Sequence, residues 1–335
     1  MKKILIATTA LVATAGFASA EVAISGAAKM GLQYNSEGAT KTQVFSTATL
    51  VVDMSGETDG GLTFGANMNI IIADNGDVAN DDTTVYISGA FGKLSMGAVA
   101  EADEVAGLGD IGWDGLDVDD VAEAFVGDEL GDFTGVSLGH NVNYTISTGP
   151  VTVSLSGRLA TGHGANTTDS YAVGAKYTFG TAYVGLGYAS HSIEGSSKLG
   201  TTFGGLANMD AKVTSLFGGG TFGAIKVAAM YSDLNFDLSD SEDLYSMSGD
   251  GKAYGINVSY KMDALTLSMG AAKAEIEGYK QSSFGVGAAY DLGGGATLKG
   301  GIASIKDDSY GTPIRDENVY ANKETRADFG ISFSF

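Results

Sequence analysis

The sequence predicts an all-β fold, a 16-stranded antiparallel transmembrane β-barrel whose third long connection folds inward. Three observations predict it. The chain ends in strict alternation, with Phe329, Ile331, Phe333 and Phe335 interleaved with Asp328, Gly330, Ser332 and Ser334. A strand reads this way when one side meets hydrocarbon and the other meets water. The same period-two pattern recurs along the chain from Glu21 onward. The composition agrees: 50 glycines but only two prolines, Pro150 and Pro313, suit long hydrogen-bonded ladders with tight bends.

The first twenty residues read differently. A basic start (Lys2, Lys3), an apolar stretch from Ile4 to Phe17 and the small residues Ala18, Ser19 and Ala20 form a secretory leader, with cleavage expected before Glu21. The domain reading is therefore a signal peptide over 1–20 and one barrel over 21–335. No later apolar run reaches the roughly 18 residues a membrane helix needs, so a membrane-spanning form must use strands. Cysteine is absent although the chain is exported, so the fold closes without disulfides. The formal charge of −21 excludes nucleic acid as a partner.

Sixteen strands follow in order, each with an outward apolar set. Val22, Ile24, Ala28, Met30 and Leu32 face out in the first; Leu50, Val52 and Met54 in the second; Leu62, Phe64, Ala66, Met68 and Ile70 in the third. Val85, Ile87 and Phe91, then Leu94 and Met96, complete the first five. After a long insertion come Val142, Tyr144 and Ile146; Val151, Val153 and Leu155; Tyr171, Val173, Ala175, Tyr177 and Phe179; and Val184, Leu186 and Tyr188. The tenth, Lys212 to Phe222, has its parity blurred by Gly218, Gly219 and Gly220. Ile225, Val227, Ala229 and Tyr231 restore the pattern, followed by Tyr254, Ile256, Val258 and Tyr260, then Leu265, Leu267 and Met269. Phe284, Val286, Ala288 and Tyr290, then Leu298 and Ile302, lead to the last strand.

The connections alternate in length. Seven are short, among them Phe91-Gly92-Lys93, Phe179-Gly180-Thr181 and Phe222-Gly223-Ala224, with an aromatic at the strand end and a permissive residue in the bend. Eight are long and polar: Asn35 to Thr40, Ala73 to Asp82, Val99 to Gly139, Leu159 to Asp169, His191 to Met209, Asn235 to Asp250, Ala274 to Lys280 and Asp307 to Glu324. Short turns on one side and long loops on the other belong to an outer-membrane barrel. Sixteen strands leave an aqueous lumen. A soluble β-sandwich also alternates, but its polar face carries many long charged side chains. Here that face reads as mostly Gly, Ser, Thr, Asn and Ala.

Four segments also resemble the alphaproteobacterial general porins: Glu21-Val-Ala-Ile-Ser-Gly, the stretch Met54 to Ala66, the stretch Ile87 to Gly97, and Tyr290-Asp-Leu-Gly-Gly-Gly-Ala296. The resemblance runs from Glu21 to Phe335. It implies a homotrimeric diffusion pore in the outer membrane of a Gram-negative bacterium, with lipid, ions and small hydrophilic solutes as its partners and its third loop as the constriction.

The insertion at 99–139 is the sharpest local feature. Between Glu101 and Asp132 lie twelve carboxylates and no lysine or arginine. Glu101, Asp103, Glu104, Asp110, Asp114, Asp117, Asp119, Asp120 and Glu123 are the candidate constriction residues. Embedded apolar residues (Val105, Leu108, Ile111, Trp113, Leu116, Val118, Val121, Phe125, Leu130) argue against a solvated acidic tail and for packing on the inner wall, with a short helix over Val118 to Phe125. Confined carboxylates attract cations, so the pore is expected to prefer them. Parity sends Lys29, Arg158, Lys176, Lys226, Lys299 and Arg326 inward as basic wall residues, with Lys93 and Lys261 inward near the periplasmic rim. Two inward arginines are fewer than the cluster common in such porins, which favours net acidity at the eyelet.

No cofactor is required. Calcium is a candidate at Asp114, Asp117, Asp119 and Asp120, because carboxylates bind hard cations and related porins carry calcium near this loop, although no EF-hand spacing is present. Enzymatic motifs are missing: there is no Gly-x-Ser-x-Gly, His-Glu-x-x-His or phosphate loop, and His163 and His191 fall in expected external loops. The alternative from another class is a non-conducting outer-membrane adhesin or structural barrel.

Overall fold

The structure, a computed structural model, describes residues 20–73, 78–113, 116–134, 137–159, 168–196, 207–240, 246–277, 279–309 and 322–335. The expected leader lies outside them, apart from Ala20. Sixteen strands form one closed antiparallel sheet: β1 Glu21–Asn35, β2 Thr42–Glu57, β3 Thr63–Ala73, β4 Val78–Gly89, β5 Gly92–Gly97, β6 Val142–Thr148, β7 Val151–Arg158, β8 Thr168–Phe179, β9 Ala182–Ser196, β10 Ala207–Phe222, β11 Ile225–Asp240, β12 Ser246–Met262, β13 Leu265–Ile276, β14 Tyr279–Gly293, β15 Ala296–Ser309 and β16 Asn322–Ser334. Each strand pairs with its chain neighbours, and β1 closes on β16 from Ala27↔Ser334 to Asn35↔Arg326. Closure leaves no strand edge, so ladder donors and acceptors find partners where no water reaches them.

The lower wall follows the expected parity. Ile24, Phe64, Val85, Leu155, Leu186, Ile225, Ile256, Phe284 and Ile302 are all exposed on the outer face. Aromatics mark both edges of this apolar band. Phe91, Tyr177, Phe179, Phe222, Tyr260 and Tyr290 lie near the short turns, while Tyr171, Tyr188, Tyr231 and Tyr254 lie higher, with Tyr231 directly opposite Tyr254. Such girdles sit at the two membrane–water interfaces. The Phe-Gly turns bend as read, with Gly180 at φ 61° and Gly223 at φ 63°.

Above the upper girdle the faces exchange character, which corrects the sequence reading. On β11, Ser232, Leu234, Phe236 and Leu238 are buried inside, while Asp233, Asn235 and Asp237 point out. Likewise Met209, Ala211 and Val213 of β10 are buried inside, with Asp210 and Lys212 outside. The inner face here is therefore not a small-residue wall. Several strands also run further than expected, so much of the stretch read as loop between Asn235 and Asp250 is strand. His191 likewise belongs to β9, where it is buried. The physical reason is a change of solvent: once past the hydrocarbon the outer face meets water, and the inner face packs against the inserted loop.

Candidate pore constriction

The chain between β5 and β6 forms a strap along the inner wall. Its outward arm, 101–113, starts against β7–β9 and ends against β16 and β1; its return arm, 116–134 and 137–139, lies beside it and carries helices α1 Asp120–Glu123 and α2 Glu129–Thr134. The single helix expected over Val118 to Phe125 is thus one turn at Asp120–Glu123, followed by a separate short helix.

A track of wall glycines makes room for the strap. A Cβ on Gly174 or Gly187 would run into the backbone carbonyls of Ala102 and Asp103. On Gly255 and Gly285 it would stand 2.7 Å from Leu108 and Val118 side chains, on Gly287 2.7 Å from the Gly112 nitrogen, on Gly301 2.7 Å from Leu116, and on Gly330 2.5 Å from the Trp113 ring. The loop's apolar residues then fill the space between wall and strap. Leu108, Val121, Phe125 and Leu130 pack with Met230, Leu234, Phe236 and Ile276 in one buried cluster. Burial of this kind stabilises by roughly 1.5–3 kcal/mol per large side chain.

Polar anchors fix both ends. At the root, the Ala102 N–H donates to Ser156 Oγ (2.7 Å) and the His140 N–H to Glu101 Oε1 (2.7 Å). The His140 ring bridges Ser156 and Ser170, whose hydroxyl also meets His191 Nδ1 at 2.7 Å. Arg158 Nη1 donates to the carbonyls of Ser137 (2.9 Å) and Gly139 (3.1 Å). At the far end, Trp113 donates its backbone N–H to Asp328 Oδ2 (2.8 Å) and its indole N–H to Ser332 Oγ (3.1 Å), and stacks edge-on with Phe45 at 5.6 Å. Arg326 pairs with Asp117 and with Glu324. Asn257 and Ser283 bond the Gly109 and Val118 carbonyls in between.

The candidate residues separate into groups. Glu101 and Asp103 are buried, and with Glu123 they accept backbone N–H bonds from His140, Gly127 and Leu108, so all three work as internal staples of the strap. Asp110 and Asp120 are exposed; Glu104 also reaches the surface, but its carboxyl is crowded by the other acids of the strap. Asp119 is half-buried, Asp117 is held by Arg326, and Asp114 lies outside the described residues. Because Asp114 is one of the four residues of the calcium reading, that set falls partly outside the described residues; among the described residues no three acidic or histidine side chains converge to hold a metal.

Of the expected basic wall, Arg158 and Arg326 hold the strap. Lys29 stands on the inner face of β1 opposite Thr47 and Ser332. Lys93 and Lys176 line a space of about 810 Å³ that also touches Glu101 and Glu104; Lys226 and Lys299 line one of about 270 Å³ that touches Asp110. Lys93 lies over the Tyr86 ring and Lys176 over Tyr183, each at 4.4 Å. The glycine track and these lysine–tyrosine pairs were not singled out from sequence. The repeated inward-parity glycines, Gly185 with Gly187 and Gly285 with Gly287, were the available signal.

Crowding of acids shows in their protonation. Burial, then repulsion from Glu123, Glu101, Asp103 and Asp128, pushes Glu104 up to about 7. Burial, then Asp110, Glu123 and Asp120, does the same to Asp119, also to about 7. Burial also raises Glu101, Asp103 and Glu123, partly offset by their backbone hydrogen bonds.

A closed sixteen-stranded barrel with aromatic girdles, an apolar exterior and an acidic strap inside is an outer-membrane channel protein. The Gram-negative porin family matches residues 7–310, and this chain belongs to it. A porin of Rhodobacter capsulatus is 31% identical over 94% of this chain and 100% of its own length. A refined porin structure superposes with a TM-score of 0.68 at 28% identity, covering 94% of this chain and 100% of that one. OmpT of Vibrio cholerae in its trimer form gives a TM-score of 0.72 at 17% identity over 94% of this chain and 99% of that one, a likeness of fold alone.

Proposed function

We propose that the chain forms a passive channel for ions and small hydrophilic solutes that prefers cations and works as a homotrimer. The observation that carries the cation preference is the charge of the strap. Its exposed acids Glu104, Asp110 and Asp120 project from a segment without a lysine or arginine, while Arg158 and Arg326 are engaged in holding it. In a narrow lumen with low-dielectric walls, such carboxylates act on passing ions more strongly than they would in bulk water. The wall lysines Lys93, Lys176, Lys226 and Lys299 line spaces beside the strap and oppose this preference.

The oligomer reading rests on the outer face. On β1 and β2 it keeps apolar residues high on the wall, with Leu32 opposite Val44 and Val44 79% exposed between the small polar Thr42 and Ser46, whereas the β9–β13 face carries charged residues at its upper end. A largely apolar face of this kind, reaching high on the wall, suits contact with further copies of the chain.

The test is the zero-current potential across a planar bilayer in a tenfold KCl gradient. The expected sign is that of potassium preference, shrinking toward zero in the triple variant Glu104→Gln, Asp110→Asn, Asp120→Asn. A potential of the opposite sign in the wild type rejects the reading.

A further inference from the structure

In a chain with a formal charge of −21, five neighbouring strands present lysine on the outer wall just above its apolar band. On each of β12 to β16 the first charged outward residue above the band is a lysine. Lys252 follows Tyr254 on β12, Lys273 follows Met269 and Ala271 on β13, and Lys280 follows Phe284 and Ser282 on β14. Lys306 follows Ile302 and Ser304 on β15, and Lys323 follows Phe329, Ala327 and Thr325 on β16. The preceding strands differ: there the first such residue is Asp169 on β8, Glu194 on β9, Lys212 on β10 and Asp233 on β11.

Strand register gathers these lysines. Lys306 stands directly opposite Lys323, and Ser282 stands between Lys306 and Lys273. Glu275 lies between Lys252 and Lys280 and pairs with Lys273 and, at 3.7 Å, with Lys280. Lys306 and Lys323 are exposed, and among the described residues neither is in an ion pair. Like charges directly opposite on one face repel across about 4.5–5.5 Å. An anion seated between them turns that repulsion into attraction.

Their height says which anion is at hand. The apolar band ends at the upper aromatic girdle, which marks the membrane–water interface where headgroup phosphates lie. Lysine stems lie along apolar surface and raise their ammonium groups to that level, and basic residues there attract anionic lipid. The acids Asp250 and Asp308 stand one outward place beyond Lys252 and Lys306, further toward water.

We propose that the upper outer wall of β12–β16 is a docking surface for a phosphate-bearing lipid of the outer leaflet, with a headgroup phosphate between Lys306 and Lys323 and with Ser282 and Lys273 beside it. The lysines supply the positive charge themselves, so the contact needs no divalent ion. It uses the outer-membrane placement of the barrel and is independent of what passes through the lumen.

Native mass spectrometry of the full, leader-free chain in detergent with EDTA present tests the surface. The probes are two lipids with the same acyl chains, dioleoyl phosphatidate, which ends in a free phosphate, and dioleoyl phosphatidylcholine, whose choline cancels that charge. The wild type should retain phosphatidate at a concentration at least fivefold lower. Lys306→Gln with Lys323→Gln should bring the two lipids within twofold of each other. Lys306→Arg with Lys323→Arg should keep the preference, and Lys212→Gln on β10 should leave it as in the wild type. No preference in the wild type with EDTA present, or one untouched by the glutamine pair, would overturn the surface. Displacement of phosphatidate by inorganic phosphate at equal concentration would overturn a lipid as the occupant. Channel currents enter none of these outcomes, so the channel reading stands or falls separately.

Discussion

At the residue scale, the glycines of the inner wall and the acids of the strap have opposite tasks. Gly187 is small because the Asp103 backbone passes where its Cβ would be, and backbone cannot swing aside as a side chain can. Gly187→Val should therefore lift the strap into the lumen at a cost of about 1–3 kcal/mol. Single-channel conductance should fall while the barrel remains assembled; unchanged conductance would show that the strap is not seated there. Glu104 and Asp119, both raised to about 7, carry the pH dependence, and Glu104 is the more exposed of the two. Burial, then Glu123, Glu101, Asp103 and Asp128 of the strap, push the Glu104 carboxyl up to about 7, with Lys93 and Lys176 on the wall of the same space. Because its folded value is raised, the charged form is the strained one. Seating of the strap is firmest below the ordinary glutamate range and weakens as pH rises through about 7. Cation preference runs the other way, and the zero-current potential should drop between pH 8 and pH 5. A potential flat across that window would contradict the assignment.

The strap is the element on which the proposed selectivity depends, and Trp113 anchors its far end together with the Arg326–Asp117 pair. Trp113 is 3% exposed, hydrogen-bonded to Asp328 and Ser332 and packed on Phe45. Trp113→Ala should remove about 3–5 kcal/mol of local packing. The expected result is a noisier open-channel current and faster protease cleavage within 101–139, with the barrel intact. This element was only partly legible in the sequence. Its apolar residues announced that it packs against something, and its acids announced the charge. Which acids face the lumen was not legible, since Glu101, Asp103 and Asp110 look alike along the chain. Only the backbone N–H groups of His140 and Gly127, brought close by folding, turn the first two into staples.

For the whole molecule, the barrel was legible because two solvents impose one period, and the upper wall was not because the solvents change places there. On β11 the apolar positions run Val227, Ala229, Tyr231 and then Leu234, Phe236, Leu238, a shift of one residue that reads as the end of a strand. In the structure the strand continues, and the shift marks the edge of the lipid. This placement gives a direct stability contrast. Ile256→Lys, within the apolar band, should cost about 2–4 kcal/mol in refolding from denaturant into lipid, whereas Asn235→Lys, above the girdle, should cost close to nothing. Equal costs would mean that the membrane boundary is misplaced.

Water fills the cylinder from one side of the membrane to the other. Recording from a planar bilayer to which the purified, leader-free chain is added should therefore show discrete current steps, linear in voltage, whose size grows with salt concentration. Insertion of the protein without any such steps would contradict it.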